Sequence, residues 1–271
     1  MHKLTSGTAG QAPKISIGLV IYNGEEHIRG VLDSIIRQSY KNIELIVVDG
    51  GSQDGTQNIL KEYSEHISVQ ISEPDKGIFD AMNKVCSAAS GDWLIFLGCD
   101  DTLLDTLWNT SKLMTDPDAI YYGDVIIRSS GNNFGGEFSK RRLMRENFCH
   151  QSVFYPKSVY QNHSYNLNYP LWADYHYNLS LMGLDIRFVY TGVVVSIFND
   201  KGRSSAGDDD FKRDHMKLIV TTLGRAYAIM EVIRRIYSKY YFGYALPIIK
   251  FLLLYPVWKH FPSHSKNRHP R

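Results

Sequence analysis

Ile43-Glu44-Leu45-Ile46-Val47-Val48-Asp49-Gly50-Gly51-Ser52 reads as a strand that stops on a carboxylate followed by two glycines. Its apolar run is nearly continuous rather than alternating, so the strand is buried, as in a parallel sheet covered on both faces. The same pattern recurs on either side. Ile15 to Ile21 is a second such run, bounded by Pro13 and by Asn23-Gly24; Trp93 to Leu97 is a third, and Val69 to Ile71 reads as a short strand between them. Between them lie helical spacings. Ile28, Val31, Leu32, Ile35 and Ile36 share one face of Glu25 to Gln38, Asp54 opens a helix through Tyr63, and Gly77 to Ala89 makes a third. Strand and helix in this alternation predict an α/β fold, with right-handed crossovers and a mostly parallel central sheet flanked by helices.

Ligands of such sheets sit beyond the carboxyl ends of the strands. Here those ends are Tyr22-Asn23, Asp49-Gly50, Glu73-Pro74-Asp75 and Gly98-Cys99-Asp100-Asp101. Three of the four carry carboxylates, which suits a metal–phosphate site better than a bare anion pocket. Adjacent acids such as Asp100 and Asp101 repel unless a cation or hydrogen bonds compensate. Oxygen ligands of this kind suit Mg²⁺ or Mn²⁺, which take one or two carboxylates plus substrate phosphates. The bland alternative makes Asp101 a cap for a helix near Leu103, and Asp54 a cap for its own helix. No Gly-Lys-Ser/Thr follows the glycines and no G-x-G-x-x-G appears, so neither a P-loop nor a dinucleotide fingerprint is present.

The regularity weakens after Asp101. Leu103 to Met114 and Ala173 to Met182 read as helices, and Ala119 to Ile127, Val153 to Tyr155, Ile186 to Tyr190 and Val193 to Phe198 as strands. Gly131 to Gly136 reads as a turn, and Asp200 to Asp210 as a loop.

Charge divides the chain. Residues 1–211 hold 18 Lys and Arg against 26 Asp and Glu, whereas residues 212–271 hold 12 against 2. The molecule as a whole carries only +2, which gives no footprint for nucleic acid. Cys86, Cys99 and Cys149 are too few and too scattered for a disulfide framework or a CxxC zinc site. Met1 to Pro13 lacks an apolar core and reads as a flexible leader rather than a signal peptide.

Tyr22-Asn23, Val48-Asp49-Gly50-Gly51-Ser52 and the long block from Glu73 to Lys84 (Glu-Pro-Asp-Lys-Gly-Ile-Phe-Asp-Ala-Met-Asn-Lys) resemble family 2 glycosyltransferases, notably bacterial members that build surface polysaccharides. The ordered likeness covers about 14–205. It implies a Rossmann-like GT-A fold and inverting transfer from a nucleotide-diphosphate sugar, with a UDP-sugar the expected donor and Mn²⁺ or Mg²⁺ as cofactor. The domain division it suggests is a leader at 1–13, a catalytic domain at 14–208 (nucleotide-sugar half 14–101, acceptor half 102–208) and a tail at 209–271.

By position, the resemblance implies that Tyr22, Asn23, Glu25 and Asp49 line the base and ribose pocket, and that Lys76, Asp80 and Asn83 lie near the nucleotide or donor sugar. The family's Asp-x-Asp-Asp has lost its first acid to Gly98, so Asp100, with Asp101, becomes the metal and diphosphate contact. Asp174, in Leu171-Trp172-Ala173-Asp174-Tyr175, matches the general base. An acceptor hydroxyl is a weak nucleophile near neutral pH, and a positioned carboxylate taking its proton contributes roughly 10²–10⁴-fold. His150, in Cys149-His150-Gln151-Ser152, and Trp172 are implied contacts of acceptor or phosphate. Arg203, in a segment that is usually Gly-Gly-x-Ser, either closes over the diphosphate or is a solvated loop cation. Lys140-Arg141-Arg142 reads as a solvated face, or else as a site for an acceptor-lipid phosphate.

Asp209 to Tyr240 reads as one helical stretch, followed by an apolar segment to Trp258 that holds only Lys250. Pro247 and Pro256 break that segment, and basic residues with Tyr and Trp flank it, which fits helices lying on an anionic membrane surface; one weak span, and packing or oligomerisation, are the alternatives. The expected setting is therefore cytoplasmic and peripheral, on the inner face of the cell membrane through 212–271, with a lipid-linked or saccharide acceptor. Transfer directly to polyprenyl phosphate, and a non-catalytic nucleotide-sugar-binding scaffold, are the alternatives.

Overall fold

Four strands, β1 (Ile15–Ile21), β2 (Ile43–Asp49), β3 (Val69–Ser72) and β4 (Trp93–Gly98), pair in parallel in the order β3-β2-β1-β4 in the computed structural model. Its described residues are 12–184, 186–200 and 207–241. Arg203, the 242–271 segment and residues 1–11 of the expected leader, which carry three of the expectations above, lie outside them. The chain divides into two units, Met1–Arg225 and Ala226–Arg271.

Alternation along the buried strands makes two cores. Ile15, Ile17, Leu19 and Ile21 face α1 (Ile28–Ile36) and α2 (Thr56–Glu62), while Val20, Ile46, Val48 and Phe96 face α3 (Ile78–Ala88). Gly18 lets α3 lie close against β1, because a Cβ there would overlap the Val85 side chain. At the opposite end of the sheet, Glu44 is buried under donors from Ser16, Ser90 and Lys14.

The second half widens the sheet and changes its sense. β8 (Val153–Pro156) runs antiparallel to β4, β6 (Ile120–Ile127) antiparallel to β8, and β9 (Phe188–Phe198) parallel to β6. Short β5 (Thr102–Leu103) and β7 (Asn133–Phe134) pair with β9 and β6. α4 (Leu107–Ser111), α5 (Lys140–Leu143) and α6 (Lys157–Tyr160) are brief. α7 (Ala173–Gly183) packs on α8 (Asp209–Thr222), and α9 (Arg225–Tyr241) follows.

Three expectations are corrected. The helix read from Leu103 begins only at Leu107, because Thr102 and Leu103 pair with β9 and Asp105 accepts from the Ser39 N–H and hydroxyl. The two strands read at Ile186–Tyr190 and Val193–Phe198 are one, with a bulge against β6 around Gly192 at φ 68°. The single helical stretch from Asp209 is two helices. Gly224, at φ 94°, turns the chain and donates back to the Ile219 carbonyl. No helix among the described residues is long and apolar enough to cross a membrane.

Candidate active site

The register of β1, β2 and β4 sets three chain reversals side by side: Ile21 opposes Asp49, and Val20 opposes Gly98. After β1 the chain turns at Asn23, which sits at φ 50°; its N–H donates to Ser52 Oγ at 2.8 Å and its Oδ1 accepts from the Gln53 N–H at 2.9 Å. Tyr22 beside it is 56% exposed, an uncovered aromatic face at the strand ends. Asp49 is fully buried, and its carboxylate accepts from Ser52, Gln57 and Ser72. It therefore orders the Gly50–Ser52 turn from beneath. Glu25 accepts from the Gly55 N–H at 2.8 Å at the start of α2, and Gly55 has no Cβ to obstruct it.

The block after β3 folds on itself. Lys84 pairs with Glu73 (2.9 Å) and Asp75, and Asp80 accepts from the Lys76 N–H at 3.0 Å. The Lys76 residue is exposed. Asn83 points its amide at the backbone of Tyr165, donating to the carbonyl at 3.0 Å and accepting from the N–H at 2.8 Å, which ties α3 to the 161–170 loop.

Beyond β4, the Gly98 N–H donates to Asp101 Oδ2 at 2.8 Å, and the Asn199 N–H approaches its other oxygen at 3.4 Å. Asp101 is 3% exposed; burial pushes its pKa up, against the opposing pull of His150 and the hydrogen bonds from Gly98 and Gln151. Asp100 is half-buried and accepts from Asn199 Nδ2 at 2.7 Å, while Arg128 donates to the Asp100 carbonyl at 2.9 Å.

From the acceptor half come Asp174 and His150. His150 Nδ1 stands 3.6 Å from Asp174 Oδ2. Burial disfavours the imidazolium, but the adjacent Asp174 carboxylate and the charges of Asp101 and Asp100 outweigh it, so the pKa is raised. Asp174 Oδ1 also accepts from the Tyr175 N–H at 2.8 Å and Oδ2 from Asn147 Nδ2 at 3.0 Å, leaving the side chain 15% exposed. Trp172 is fixed through its backbone. Its N–H and that of Leu171 donate to Asp208 Oδ2 at 3.1 and 3.0 Å, and Asp208 Oδ1 caps α8 by accepting from the Phe211 N–H. The Trp172 ring meets Phe211 edge-on, at 5.6 Å between centroids. Arg142 is committed elsewhere, to Glu146 and the Gly135 carbonyl with its guanidinium 3.8 Å from the Phe138 ring.

Asp100, Asp101, His150 and Asp174 thus form one electrostatic cluster. The residues that sequence reading missed are asparagines: Asn199 on Asp100, Asn147 on Asp174, and Asn178 behind Asn147. Asn178 had a signal, four residues after Asp174 and so on the same helical face; the other two had none.

Among the described residues no group of three His, Cys, Asp or Glu is arranged to hold a metal. A divalent cation bound largely by substrate diphosphate still fits. A Cβ on Gly98 would lie 3.2 Å from both Asp100 Oδ1 and Asp101 Oδ2, so the glycine lets those two carboxylate oxygens converge over the strand end. The buried Gln151 Oε1 has no hydrogen-bond partner among the described residues. Two hard oxygen ligands plus phosphate oxygens match the coordination of Mg²⁺ or Mn²⁺.

Comparison with known proteins agrees with this frame. The profile described as Glycosyl transferase family 2 matches residues 16–170. PGL/p-HBAD biosynthesis glycosyltransferases of Mycobacterium bovis and Mycobacterium tuberculosis are 36% identical over 203 residues, 70% of this chain and 78% of theirs. The crystal structure of S. aureus TarS 1-349 in complex with UDP-GlcNAc superposes with a TM-score of 0.63 at 16% identity, covering 77% of this chain and 67% of that one. Mannosyltransferase PcManGT from Pyrobaculum calidifontis, in complex with GDP-Man and Mn²⁺, gives 0.55 at 19% identity over 83% of this chain and 65% of its own. Those two likenesses concern the fold. Taken with the profile and the mycobacterial relatives, they identify the chain as a glycosyltransferase of family 2, with the GT-A fold.

Proposed function

We propose that the chain moves a sugar from a UDP-sugar to a hydroxyl of a lipid-linked or saccharide acceptor, inverting the anomeric carbon. The observation that carries this reading is the 3.6 Å approach of His150 to Asp174, with the charges of Asp101 and Asp100 acting on the same imidazole. The imidazole thereby couples the base carboxylate to the diphosphate-binding pair, all of which raise its pKa.

In the reaction, Asp174 accepts the acceptor hydroxyl proton as the new O–C1 bond forms. The C1–O bond to diphosphate breaks on the opposite face, and the electron pair leaves with the nucleotide diphosphate. Asp100, with Asp101, would hold the Mn²⁺ or Mg²⁺, which when bound offsets charge on the leaving diphosphate. Tyr22 offers a stacking face for the base, Asn23, Glu25 and Asp49 shape the turns beneath base and ribose, and Lys76, Asp80 and Asn83 border the donor side. His150 and Trp172 flank the acceptor. UDP-GlcNAc in TarS supports a UDP donor, and Mn²⁺ in PcManGT supports the cation. The mycobacterial relatives are named for biosynthesis, which supports assembly of a product. A phosphate acceptor is already anionic and needs no base, so the available Asp174 favours a hydroxyl acceptor over polyprenyl phosphate. It equally favours an enzyme over a mere binder.

The proposed setting is the cytoplasmic face of the membrane, held peripherally through 212–271. In α9, Ile229, Val232, Ile233 and Ile236 are all exposed and recur at helical spacing, with Arg225 exposed beside them. The domain division proposed is 14–208 for catalysis and 209–271 for attachment, although α8 packs on α7.

UDP release with and without Mn²⁺ tests the reading, with wild type compared to Asp174→Asn. The expectation is a loss of about 10²–10⁴-fold in kcat for Asp174→Asn, and dependence on the cation. Full turnover by Asp174→Asn removes the base assignment; turnover untouched by EDTA removes the cation.

A further inference from the structure

The carboxylate of Asp174 is held from behind by a polar chain through the core. The Tyr155 hydroxyl donates to Asn178 Oδ1 at 2.8 Å, Asn178 Nδ2 donates to Asn147 Oδ1 at 2.9 Å, and Asn147 Nδ2 donates to Asp174 Oδ2 at 3.0 Å. Tyr155 and Asn178 are both wholly buried, so the Asn178 amide has no water with which to exchange partners, while Asn147 is half-buried. The chain also has a direction. The Asp174 carboxylate only accepts, so the Asn147 NH₂ must face it; Asn147 Oδ1 then takes the Asn178 NH₂, and Asn178 Oδ1 is left to accept from the Tyr155 hydroxyl. Tyr155 belongs to β8, next to β4 in the sheet, so the relay anchors the helix-borne base to the central framework.

We propose that Asn147 and Asn178 are positioning residues for catalysis, fixing the rotation of the Asp174 carboxylate so that its open flank stays turned to the acceptor hydroxyl. This rests on Asp174 being the general base. A carboxylate free to rotate loses the alignment on which proton transfer depends, and alignment errors of an ångström cost about 10²-fold. Binding of the donor does not involve the relay, so its disruption acts on kcat alone.

The full chain tests this through initial rates of UDP release, fitted separately for kcat and donor KM. Asn147→Asp keeps the size and still accepts from Asn178, but turns the contact with Asp174 from donor to repulsion. Asn178→Asp still accepts from Tyr155 but opposes Asn147. Each is expected to lose about 10- to 100-fold in kcat with donor KM within about twofold of wild type. If either replacement abolishes folding, Tyr155→Phe deletes only the distant hydroxyl and is expected to lose kcat several-fold at the same KM. Wild-type kcat in folded Asn147→Asp or in Tyr155→Phe overturns the proposal, as does a fall in kcat matched by an equal rise in donor KM, the mark of general distortion. Asp174→Asn is run alongside. If it keeps full turnover, the base reading itself fails; if it is inactive while Asn147→Asp is not, only the relay fails.

Discussion

His150 and Asp174 approach to 3.6 Å although one lies in the 3₁₀ turn before β8 and the other in the first turn of α7. The imidazole has a raised pKa because the carboxylates around it outweigh the burial that opposes its charge. A group whose pKa rises on folding stabilises the protein fully below its unfolded pKa, and that contribution is lost as pH climbs through the folded value. His150→Gln should therefore cost several degrees of Tm near about pH 6, and the gap to wild type should narrow toward about pH 9. Thermal unfolding across that range decides it. A gap that widens with pH contradicts the charged imidazole.

The two carboxylate oxygens that converge over Gly98 give a second expectation. Gly98→Asp restores a third acid to a place where even a Cβ comes within 3.2 Å of Asp100 Oδ1 and Asp101 Oδ2. Without a cation, crowding and like charge should lower Tm. With Mn²⁺ the added carboxylate gains a partner, so the Tm increment on adding Mn²⁺ should exceed that of wild type. Equal increments in the two proteins place the cation elsewhere.

How much of this was legible follows from the residues. β1, β2 and β4 were, because burial on both faces writes a nearly unbroken apolar run that needs no partner information, whereas the short β3 alternates, with Gln70 and Ser72 exposed. The convergence of Asp100, Asp101, His150 and Asp174 was legible only through ordered likeness to a family. Nothing in the spacing of Asp100 and Asp174 brings them together. Asn147 and Asn199 were illegible, since an asparagine reads as loop or turn chemistry until a contact 27 or 99 residues away gives it work. The Gly224 break was overlooked because a glycine inside a helical pattern is tolerated often enough to mislead. Asn83 sits in the most family-like block, and the backbone bonds it makes to Tyr165 lie 82 residues distant.

Glu44 provides a test of the fold apart from the chemistry. Its pKa is lowered to about 2: burial opposes this, but hydrogen bonds from Ser16, Ser90 and Lys14 prevail. A depressed carboxylate contributes stability above its unfolded pKa and loses it as pH falls toward the folded one. Wild type should thus lose on the order of 3 kcal/mol from this site between about pH 5 and pH 2. Glu44→Gln should be destabilised at neutral pH and nearly indifferent to this acid range in comparison. Urea unfolding of both proteins at several pH values measures the difference.

The exposed stripe of α9 bears on where the enzyme works. Ile229, Val232, Ile233 and Ile236 lie within one sector of the helix, and each is at least 44% exposed. On the far side Glu231 is 1% exposed and paired with Arg234 and Arg235. If the stripe enters the headgroup region, each isoleucine transfers apolar area at roughly 25 cal/mol per Å², and a glutamate in its place both forfeits that gain and meets anionic lipid. Ile233→Glu with Ile236→Glu should cut sedimentation with phosphatidylglycerol vesicles by at least about tenfold. UDP release with a soluble acceptor should stay near wild type, because neither residue belongs to the catalytic cluster. Unchanged vesicle binding by the double variant would separate α9 from membrane attachment and shift the search to the basic residues beyond it.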